Sequence, residues 1–226
     1  MRREFRKFDR VTIVSTVIFM VCLAVSSPTV DAQQRISVKP DLNSRQGIGK
    51  WDLDGSGVWE ISNGKLVISK AGVPAGPIRR PAALAILKTI SLRRATIEGE
   101  IHSTAPLDVV RRDLDVVVSY ESPTRFYYIH LAGVTDSVHN GIFLVNHADR
   151  VRIDSGKGKP QLQDTLWHSV RVERDGLSGR ISVFVDRSKA PVLEAVDTTI
   201  CCGRVGFGSF DDTGEFRNIV VTGSGK

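Results

Sequence analysis

Cysteine is scarce in this sequence of 226 residues, which contains only three. Cys22 stands in an apolar N-terminal stretch, whereas Cys201 and Cys202 are adjacent. This spacing excludes both the cysteine framework of a small disulfide-rich domain and a cysteine-based zinc site. Two interpretations of the adjacent pair stand: one buried and one rim thiol, or a vicinal disulfide in an oxidising compartment.

Long basic and long apolar runs are also missing. No Lys/Arg cluster interleaved with aromatic residues occurs, so the sequence indicates no nucleic-acid partner. The apolar stretch Val11–Val25 has fifteen residues, whereas a membrane-spanning helix needs about 20. From residue 95 onward no amphipathic period of helix length occurs, which argues against a helical domain.

The N-terminal residues have the pattern of a secretory signal. A basic start, MRREFRKFDR, precedes the apolar stretch, and Val30-Asp31-Ala32 offers small residues for cleavage. We therefore predict a signal peptide at residues 1–32 and an extracytoplasmic protein, periplasmic or secreted, with no membrane contact after cleavage. An uncleaved N-terminal anchor is the alternative. Without the five basic and three acidic residues of this segment, 26 basic and 22 acidic side chains remain, a mild net charge of +4.

Alternation of apolar and polar residues dominates the rest of the chain. It is clearest in Ala95–His102 and Asp113–Tyr120, and Asn63-Gly64 between two strand-like runs is a strong hairpin signal. Short strands with a turn signal every few residues predict an all-β fold, a two-sheet antiparallel jelly-roll sandwich or a barrel. We expect a polar, loose lead-in segment at residues 33–46 and a single domain at 47–223. Pro81–Lys88 is compatible with a short helix or a strand.

The C-terminal stretch GRVGFGSFDDTGEFRNIVV predicts a closing hairpin that returns beside the start of the domain. Val205 and Phe207 would point into the core, and Gly206 and Gly208 would line the opposite face without side chains. Glycine inside a strand often marks the close approach of a backbone or a ligand.

Three stretches carry a resemblance to a known superfamily. WDLDGSGVWEISNGKLVIS, WHSVRVERDGLSGRISVFVD and the C-terminal stretch resemble concanavalin A-like jelly rolls, which include legume lectins, laminin G-like modules and family 16 glycosidases. The opening and the FRNI ending are most similar to 3-keto-disaccharide hydrolase-like domains. The resemblance covers about residues 50–222 and implies a two-sheet jelly roll that recognises a carbohydrate on its concave sheet. It leaves two alternatives open, a glycoside hydrolase or lyase-like enzyme and a laminin G-like protein-interaction module.

Two motifs that would support an enzyme are missing. The E-x-D-x-x-E strand of family 16 glycosidases does not occur, and neither does the Asn-Ser-Gly…Arg strand of the keto-disaccharide hydrolases. The nearest substitute is Glu98-x-Glu100-x-His102, whose side chains share one strand face at about 7 Å steps. Paired carboxylates can divide acid and base roles, so Glu98, Glu100 and His130 are the candidate catalytic residues. The alternative for this strand is an ordinary solvated face.

A candidate ligand surface combines polar and aromatic residues. If the two sheets bury the apolar residues of the alternating strands between them, the polar and aromatic residues that face outward form one groove together with Glu98 and Glu100. Aromatic rings can stack on sugar rings while polar tips bind hydroxyl groups. In the alternative interpretation, Tyr128 belongs to the core and His130 is a satisfied structural histidine. The predicted ligand-binding residues are His102, Asp113, Asp115, Tyr128, Gly206 and Gly208.

Calcium is the expected metal. Asp52-Leu-Asp54-Gly-Ser-Gly resembles the first half of an oxygen-rich calcium loop, although Asn63 stands where a bidentate Glu is needed. Asp211 and Asp212 in the last turn are a second candidate pair, since structural calcium is common in the superfamily. A plain polar loop is the alternative at the first site. No His-x-His or His-x₃-His pair indicates zinc.

Overall fold

The computed structural model of the chain describes Met1 and residues 35–73, 76–88 and 91–225. Apart from Met1, the predicted signal peptide and its cleavage point lie outside this part of the chain. The described residues form fifteen strands and a short 3-10 helix at Arg45–Lys50, which Ser44 caps. The strands are β1 (Arg35–Val38), β2 (Trp51–Gly55), β3 (Val58–Ser62), β4 (Lys65–Lys70), β5 (Ala83–Leu87), β6 (Leu92–Ser103), β7 (Asp113–Ser122), β8 (Arg125–Ala132), β9 (Gly141–Asn146), β10 (Val151–Arg152), β11 (His168–Asp175), β12 (Arg180–Val185), β13 (Leu193–Val196), β14 (Arg204–Ser209) and β15 (Gly214–Gly225).

The strands divide into two antiparallel sheets. The eight-stranded sheet has the order β13-β12-β11-β6-β15-β4-β3, with β1 paired to β15, and the seven-stranded sheet has the order β10-β9-β8-β7-β14-β5-β2. This arrangement confirms the predicted two-sheet jelly-roll sandwich. The Asn63-Gly64 hairpin between β3 and β4 is also confirmed, and its φ angles of 51° and 74° are those of the turn that favours Asn-Gly. None of the described helical residues forms a helix long and apolar enough to cross a membrane.

One hydrophobic core fills the space between the sheets. Ile97 and Ile101 of β6 face it from the eight-stranded sheet, and Val116 and Ile129 face it from the seven-stranded sheet. Because side chains alternate along a strand, this inward set leaves the intervening residues of β6, β7 and β8 on the two outer faces. Sheet membership therefore decides which of the candidate residues can meet.

The chain end is not a hairpin, contrary to the sequence-based prediction. β14 lies in the seven-stranded sheet and β15 in the eight-stranded sheet, so the intervening turn crosses the edge of the sandwich. Each strand points its apolar face into the shared core, where the Phe207 and Phe216 rings lie 4.8 Å apart between centroids. The expected return beside the domain start is present, because β15 pairs with β1.

Two β-bulges change which residues face outward. Ser119 has a φ of 50°, and the β7 register shifts after Val118, so Tyr120 turns to the outer face instead of the core. Asn218 has a φ of 54° within another register shift, so Ile219 rather than Val220 faces the core. Strict alternation, assumed from the sequence, fails at both positions because an extra residue reverses the facing of everything after it.

The structure contradicts one sequence-based prediction, for residues 33–46, and settles an ambiguous one, for Pro81–Lys88. Residues 33–46 were expected to be a loose lead-in, but β1 within them pairs with the last strand and Leu42 is buried. The ambiguous segment Pro81–Lys88 contains strand β5, whose five residues are all buried between β14 and β2.

Cys201 and Cys202 are joined as a vicinal disulfide, with Cys201 exposed and Cys202 buried.

Candidate functional site

The outer face of the seven-stranded sheet brings most of the predicted ligand-binding residues together. Asp115 on β7 pairs directly with His130 on β8, and Gly208 on β14 pairs with Asp115 from the other side. Tyr128 lies two residues from His130 on the same face, and Asp113 two residues from Asp115. The sequence placed these side chains on one surface, and the registers of three neighbouring strands bring them close together.

This surface is covered, not an open groove. Tyr128 has no exposed area and His130 is 1% exposed. Tyr128 stacks on Phe143 at 5.3 Å between centroids, and Phe210 from the β14–β15 turn lies against both Tyr128 and His130. We call the buried set on this face the aromatic cover; it comprises Leu84, Ile86, Val117, Tyr120, Phe126, Tyr128, Phe143, Val145 and Phe210. A ligand therefore cannot reach Tyr128 or His130 while this cover is in place.

Gly206 and Gly208 lie in this face because their neighbours leave no room for a side chain. A Cβ on Gly206 would lie 2.3 Å from the Ala85 carbonyl oxygen, and one on Gly208 would lie 2.5 Å from the Leu84 side chain. The two glycines thus permit close packing of β14 against β5. The sequence predicts that a backbone or a ligand comes close to these glycines. In the structure, the neighbours that come close are the β5 backbone and core side chains.

Beneath the cover lies a polar group that we call the buried cluster, Asp113, Asp115 and His130. His130 Nδ1 lies 2.9 Å from an Asp115 carboxylate oxygen and 4.0 Å from an Asp113 oxygen. Burial raises the pKa of both aspartates well above the usual value, and it lowers the pKa of His130 to about 4. Asp113 also accepts hydrogen bonds from the Phe210 N–H at 2.8 Å and from the Ser209 hydroxyl at 3.2 Å.

Beside the buried cluster a depression of about 440 Å³ opens to solvent. We call it the rim pocket; Arg79, Val109, Arg111, Val138, His139, Asp211 and Asp212 line it. Asp212 connects the two features, because one of its carboxylate oxygens accepts the Asp113 N–H at 2.9 Å. Burial raises the pKa of Asp212, whereas Asp211 is exposed.

His139 is held in a fixed orientation at the pocket wall. Its Nδ1 lies 2.8 Å from both Asp136 carboxylate oxygens, and Arg152 donates to the carbonyl oxygens of Asp136 and His139. Although partial burial acts to raise the pKa of Asp136, hydrogen bonds from the Val138 N–H and from His139 lower it to about 2. This carboxylate orients the imidazole, whose ring lies 5.7 Å from that of His130.

Glu98, Glu100 and His102 do not join this surface, because β6 belongs to the other sheet. Glu98 is exposed on the outer face of the eight-stranded sheet, and Glu100 accepts hydrogen bonds from Arg217 at 2.5 Å and Asn218 at 3.1 Å. His102 pairs with Glu215. The expectation that the glutamates share a groove with Tyr128 and His130 is therefore wrong; the two sets lie on opposite sides of the sandwich.

At the first predicted calcium site, Asp52 and Asp54 pair with basic side chains. Asp52 and Asp54 lie on strand β2, where Asp52 pairs with Arg204 and Lys88, and Asp54 pairs with Arg80 at 3.0 Å. Hydrogen bonding to Arg204 is the main cause that lowers the pKa of Asp52. The strand geometry and these cationic partners replace the predicted calcium loop.

Asp211 and Asp212 do form a possible metal group. Together with Asp113 they place three carboxylate oxygens within 4.8 Å of one another, and the buried cluster is a second such group. Among the residues described, these are the groupings compatible with a metal ion. The sequence predicts that Asp113, Asp115 and His130 share one surface, but not that His130 pairs directly with Asp115, because the β7–β8 register fixes that pairing. Sequence reasoning also passed over Arg79, Arg111 and the orienting Asp136, which stand in loops without a motif.

Comparisons with known proteins agree on the fold. No protein-family model and no curated protein matches the sequence. Among solved structures, the carbohydrate-binding module CBM66 from Bacillus subtilis is similar, with a TM-score of 0.51 and 16% identity over 75% of this chain and 93% of that one. The potassium-bound Emp46p carbohydrate recognition domain gives a TM-score of 0.55 and 15% identity, covering 84% and 97%. A Bauhinia forficata lectin in complex with GalNAc gives 0.54 and 13%, covering 84% and 98%.

These neighbours, with the two antiparallel sheets, define the class of structure. The chain has the concanavalin A-like sandwich fold found in lectins and carbohydrate-binding modules. At these identities the likeness concerns the fold, so function must be argued from the site itself.

Proposed function

We propose that this chain is an exported carbohydrate-binding protein and that the glycan binds in the rim pocket. The observation that carries the proposal is the mixture of free donors and acceptors there. Among the described residues, the guanidinium groups of Arg79 and Arg111 and the carboxylate of Asp211 have no polar partner. A sugar presents hydroxyl groups that both donate and accept, so arginine and aspartate side chains at one depression complement it.

The pocket is also preorganised for binding. Asp136 and Arg152 fix the His139 loop, and Asp113 anchors the turn that carries Asp211 and Asp212. Side chains that are already ordered lose less conformational entropy when a ligand binds. The fold neighbours named for carbohydrate recognition lend further support.

Glycan-array screening followed by calorimetry with the best ligand tests the proposal. Arg111→Met and Asp211→Asn should each weaken binding about tenfold, the value of roughly one hydrogen bond to a charged group. The matched controls are Arg35→Met and Glu98→Gln, exposed residues of the eight-stranded sheet. If both rim-pocket variants keep full affinity and a control variant loses it, the glycan binds on the eight-stranded sheet instead.

Calcium is a further part of this proposal, at Asp211 and Asp212 with Asp113 as the third oxygen donor. Hard cations prefer oxygen ligands, and such an ion would brace the turn that forms the pocket wall. An ion that binds only the native state raises stability by mass action. An identical melting midpoint in chelator and in millimolar calcium would remove calcium from the proposal.

Export is proposed from the N-terminal signal. Mass spectrometry of the extracytoplasmic fraction should find a chain that begins at Gln33. A mature protein that retains Met1 would contradict cleavage and favour the anchor.

An enzyme remains the second candidate, on the evidence of the Asp136–His139 pair beside Asp211. A carboxylate-oriented imidazole with a second carboxylate nearby is suited to proton transfer. Turnover of the array-positive glycan, lost in His139→Gln while binding persists, would favour this candidate over a binding protein.

A further inference from the structure

The outer face of the eight-stranded sheet carries a depression of about 420 Å³ over strands β1, β15, β6, β11 and β12. We call it the arginine pocket, because the exposed side chains of Arg35, Arg94 and Arg180 line it. The aromatic cover lies on the other sheet, so the two features are on opposite sides of the sandwich. The arginine pocket is therefore separate from the site described above.

The strand registers place the arginines around a floor of small hydroxyl side chains. Arg35 on β1 and Arg94 on β6 both pair with Ser224, which lies between them on β15. Two residues along the same strands and on the same face, Thr222 pairs with Thr96. Neighbouring strands are about 4.8 Å apart, so the two long arginine side chains can converge on one group above Ser224.

Most hydrogen-bond donors of the arginine pocket are free. Within the described part of the chain, the Arg35 guanidinium group and the three floor hydroxyl groups have no hydrogen-bond partner. In the same part of the chain, the Arg94 guanidinium donates only its Nε–H, to Asp175 at 3.4 Å. The Arg180 guanidinium lies 3.7 Å from Glu194, which is an ion pair without a hydrogen bond.

The carboxylates of the pocket, in contrast, are engaged by the protein itself. Asp175 accepts the Leu177 N–H at 2.9 Å in addition to the contact from Arg94. Glu173 is paired with Arg171. The free groups of the described pocket residues are therefore donors, and most of these donors belong to cations. A neutral sugar needs acceptors as well as donors, whereas an anion rich in oxygen needs donors only.

We infer that the arginine pocket binds a tetrahedral oxyanion, a phosphate or sulfate group. Guanidinium groups bind such anions through paired hydrogen bonds, and the floor hydroxyls can donate to the remaining oxygens. A phosphate ester offers three terminal oxygens to these donors, whereas a carboxylate offers only two. A volume of about 420 Å³ lies in the range of small-molecule sites, so the size of the pocket favours an ester over a bare ion.

The test measures binding to the mature chain by calorimetry and by nuclear magnetic resonance. The probes are glucose 6-phosphate, glucose 6-sulfate, inorganic phosphate and glucose. We expect one equivalent of each bound oxyanion, with backbone amide shifts at Thr96 and Ser224 that glucose does not cause. Tighter binding of the esters than of inorganic phosphate assigns an organic ligand to the pocket, and equal binding assigns the free anion.

Variants separate specific recognition from general charge attraction. Arg94→Met should weaken binding of glucose 6-phosphate at least about tenfold, the value of roughly one hydrogen bond to a charged group. Arg94→Lys keeps the charge without the paired hydrogen bonds and should restore only part of the affinity. Thr222→Val removes a hydroxyl group at constant charge and should weaken binding about threefold. Arg187→Met is the matched control, because Arg187 is exposed in the turn after β12 and does not line the pocket.

The outcomes decide the inference on their own. Absence of binding by both esters and by inorganic phosphate at millimolar concentration would overturn it. So would full affinity in Arg94→Met, or an equal loss in Arg187→Met, which would indicate general charge attraction. The same amide shifts with glucose would make the pocket a site for neutral sugars and also contradict the inference. Neither the probes nor the variants depend on the rim pocket, so failure here leaves the glycan proposal standing.

Discussion

Truncation of Tyr128 distinguishes a buried ring from a ligand-stacking ring. The ring has no exposed area, stacks on Phe143 at an interplanar angle of 17° and meets His130 edge-on. Tyr128→Ala should leave a cavity and cost about 3–5 kcal/mol, the usual range for a buried aromatic residue. Native domains have only about 5–15 kcal/mol of stability, so the variant should unfold at a much lower urea concentration.

The hydroxyl group of Tyr128 can be assessed separately. It accepts a hydrogen bond from Arg150 at 2.8 Å, and Tyr128→Phe should cost about 1.5–3 kcal/mol because the donor is charged. Tyr120→Phe is the control, because its hydroxyl lies 3.4 Å from Asp54, a long contact that should contribute under about 1 kcal/mol. Urea unfolding followed by tryptophan fluorescence measures both, with the slope checked for a constant two-state transition.

The result that would refute this reasoning is a stable alanine variant. If Tyr128→Ala unfolds at the wild-type urea midpoint and loses glycan binding, the ring contacts ligand and the aromatic cover is open in solution. If Tyr128→Phe costs no more than Tyr120→Phe, the Arg150 hydrogen bond does not contribute to stability.

Three further predictions concern packing, pH and a hydrogen-bond network. Gly208→Val should cost about 1–3 kcal/mol by overpacking, whereas Gly49→Ala, with nothing within 4 Å of the added Cβ, should fall within about 0.5 kcal/mol in a thermal melt. The pKa of Asp136 is about 2 in the folded chain, against an ordinary value of 3.8. Its contribution to the free energy of unfolding is therefore present above pH 3.8 and is lost as the pH falls towards 2. The difference in stability between the wild type and Asp136→Asn should close over that range. An unchanged gap at pH 2 would contradict the His139 pairing. Tyr127→Phe should cost about 2–3 kcal/mol, more than Tyr120→Phe, because it orphans the buried Ile200 N–H 2.9 Å from the hydroxyl; equal urea midpoints would refute this.

Local sequence patterns were enough to predict the all-β fold. Alternation of apolar and polar residues needs no knowledge of distant partners, because successive side chains of any strand point to opposite faces. The Asn63-Gly64 turn is equally local, since both residues tolerate the positive φ angles it requires. The inward facing of Ile97, Val116 and Ile129 follows from the same period.

The assembly of the candidate site could be predicted only in part. Asp113 and Asp115 share a face because they are two residues apart, but their meeting with His130 depends on the β7–β8 register. The bulge at Ser119 then turns Tyr120 to the outer face, and no residue type at this position predicts a bulge. Arg111 and His139 both line the rim pocket, although they stand in two separate loops.

The sequence alone determined the secondary-structure class and the inward and outward faces of most strands, since these depend on neighbours along the chain. Tertiary structure decided that Glu98 and His130 lie on opposite sides of the sandwich, because sheet membership depends on pairing between strands far apart in sequence. It also decided that Tyr128 is buried. An outward-facing side chain stays exposed only if no loop packs over it, and here the Phe210 turn covers it because burying aromatic surface is favourable.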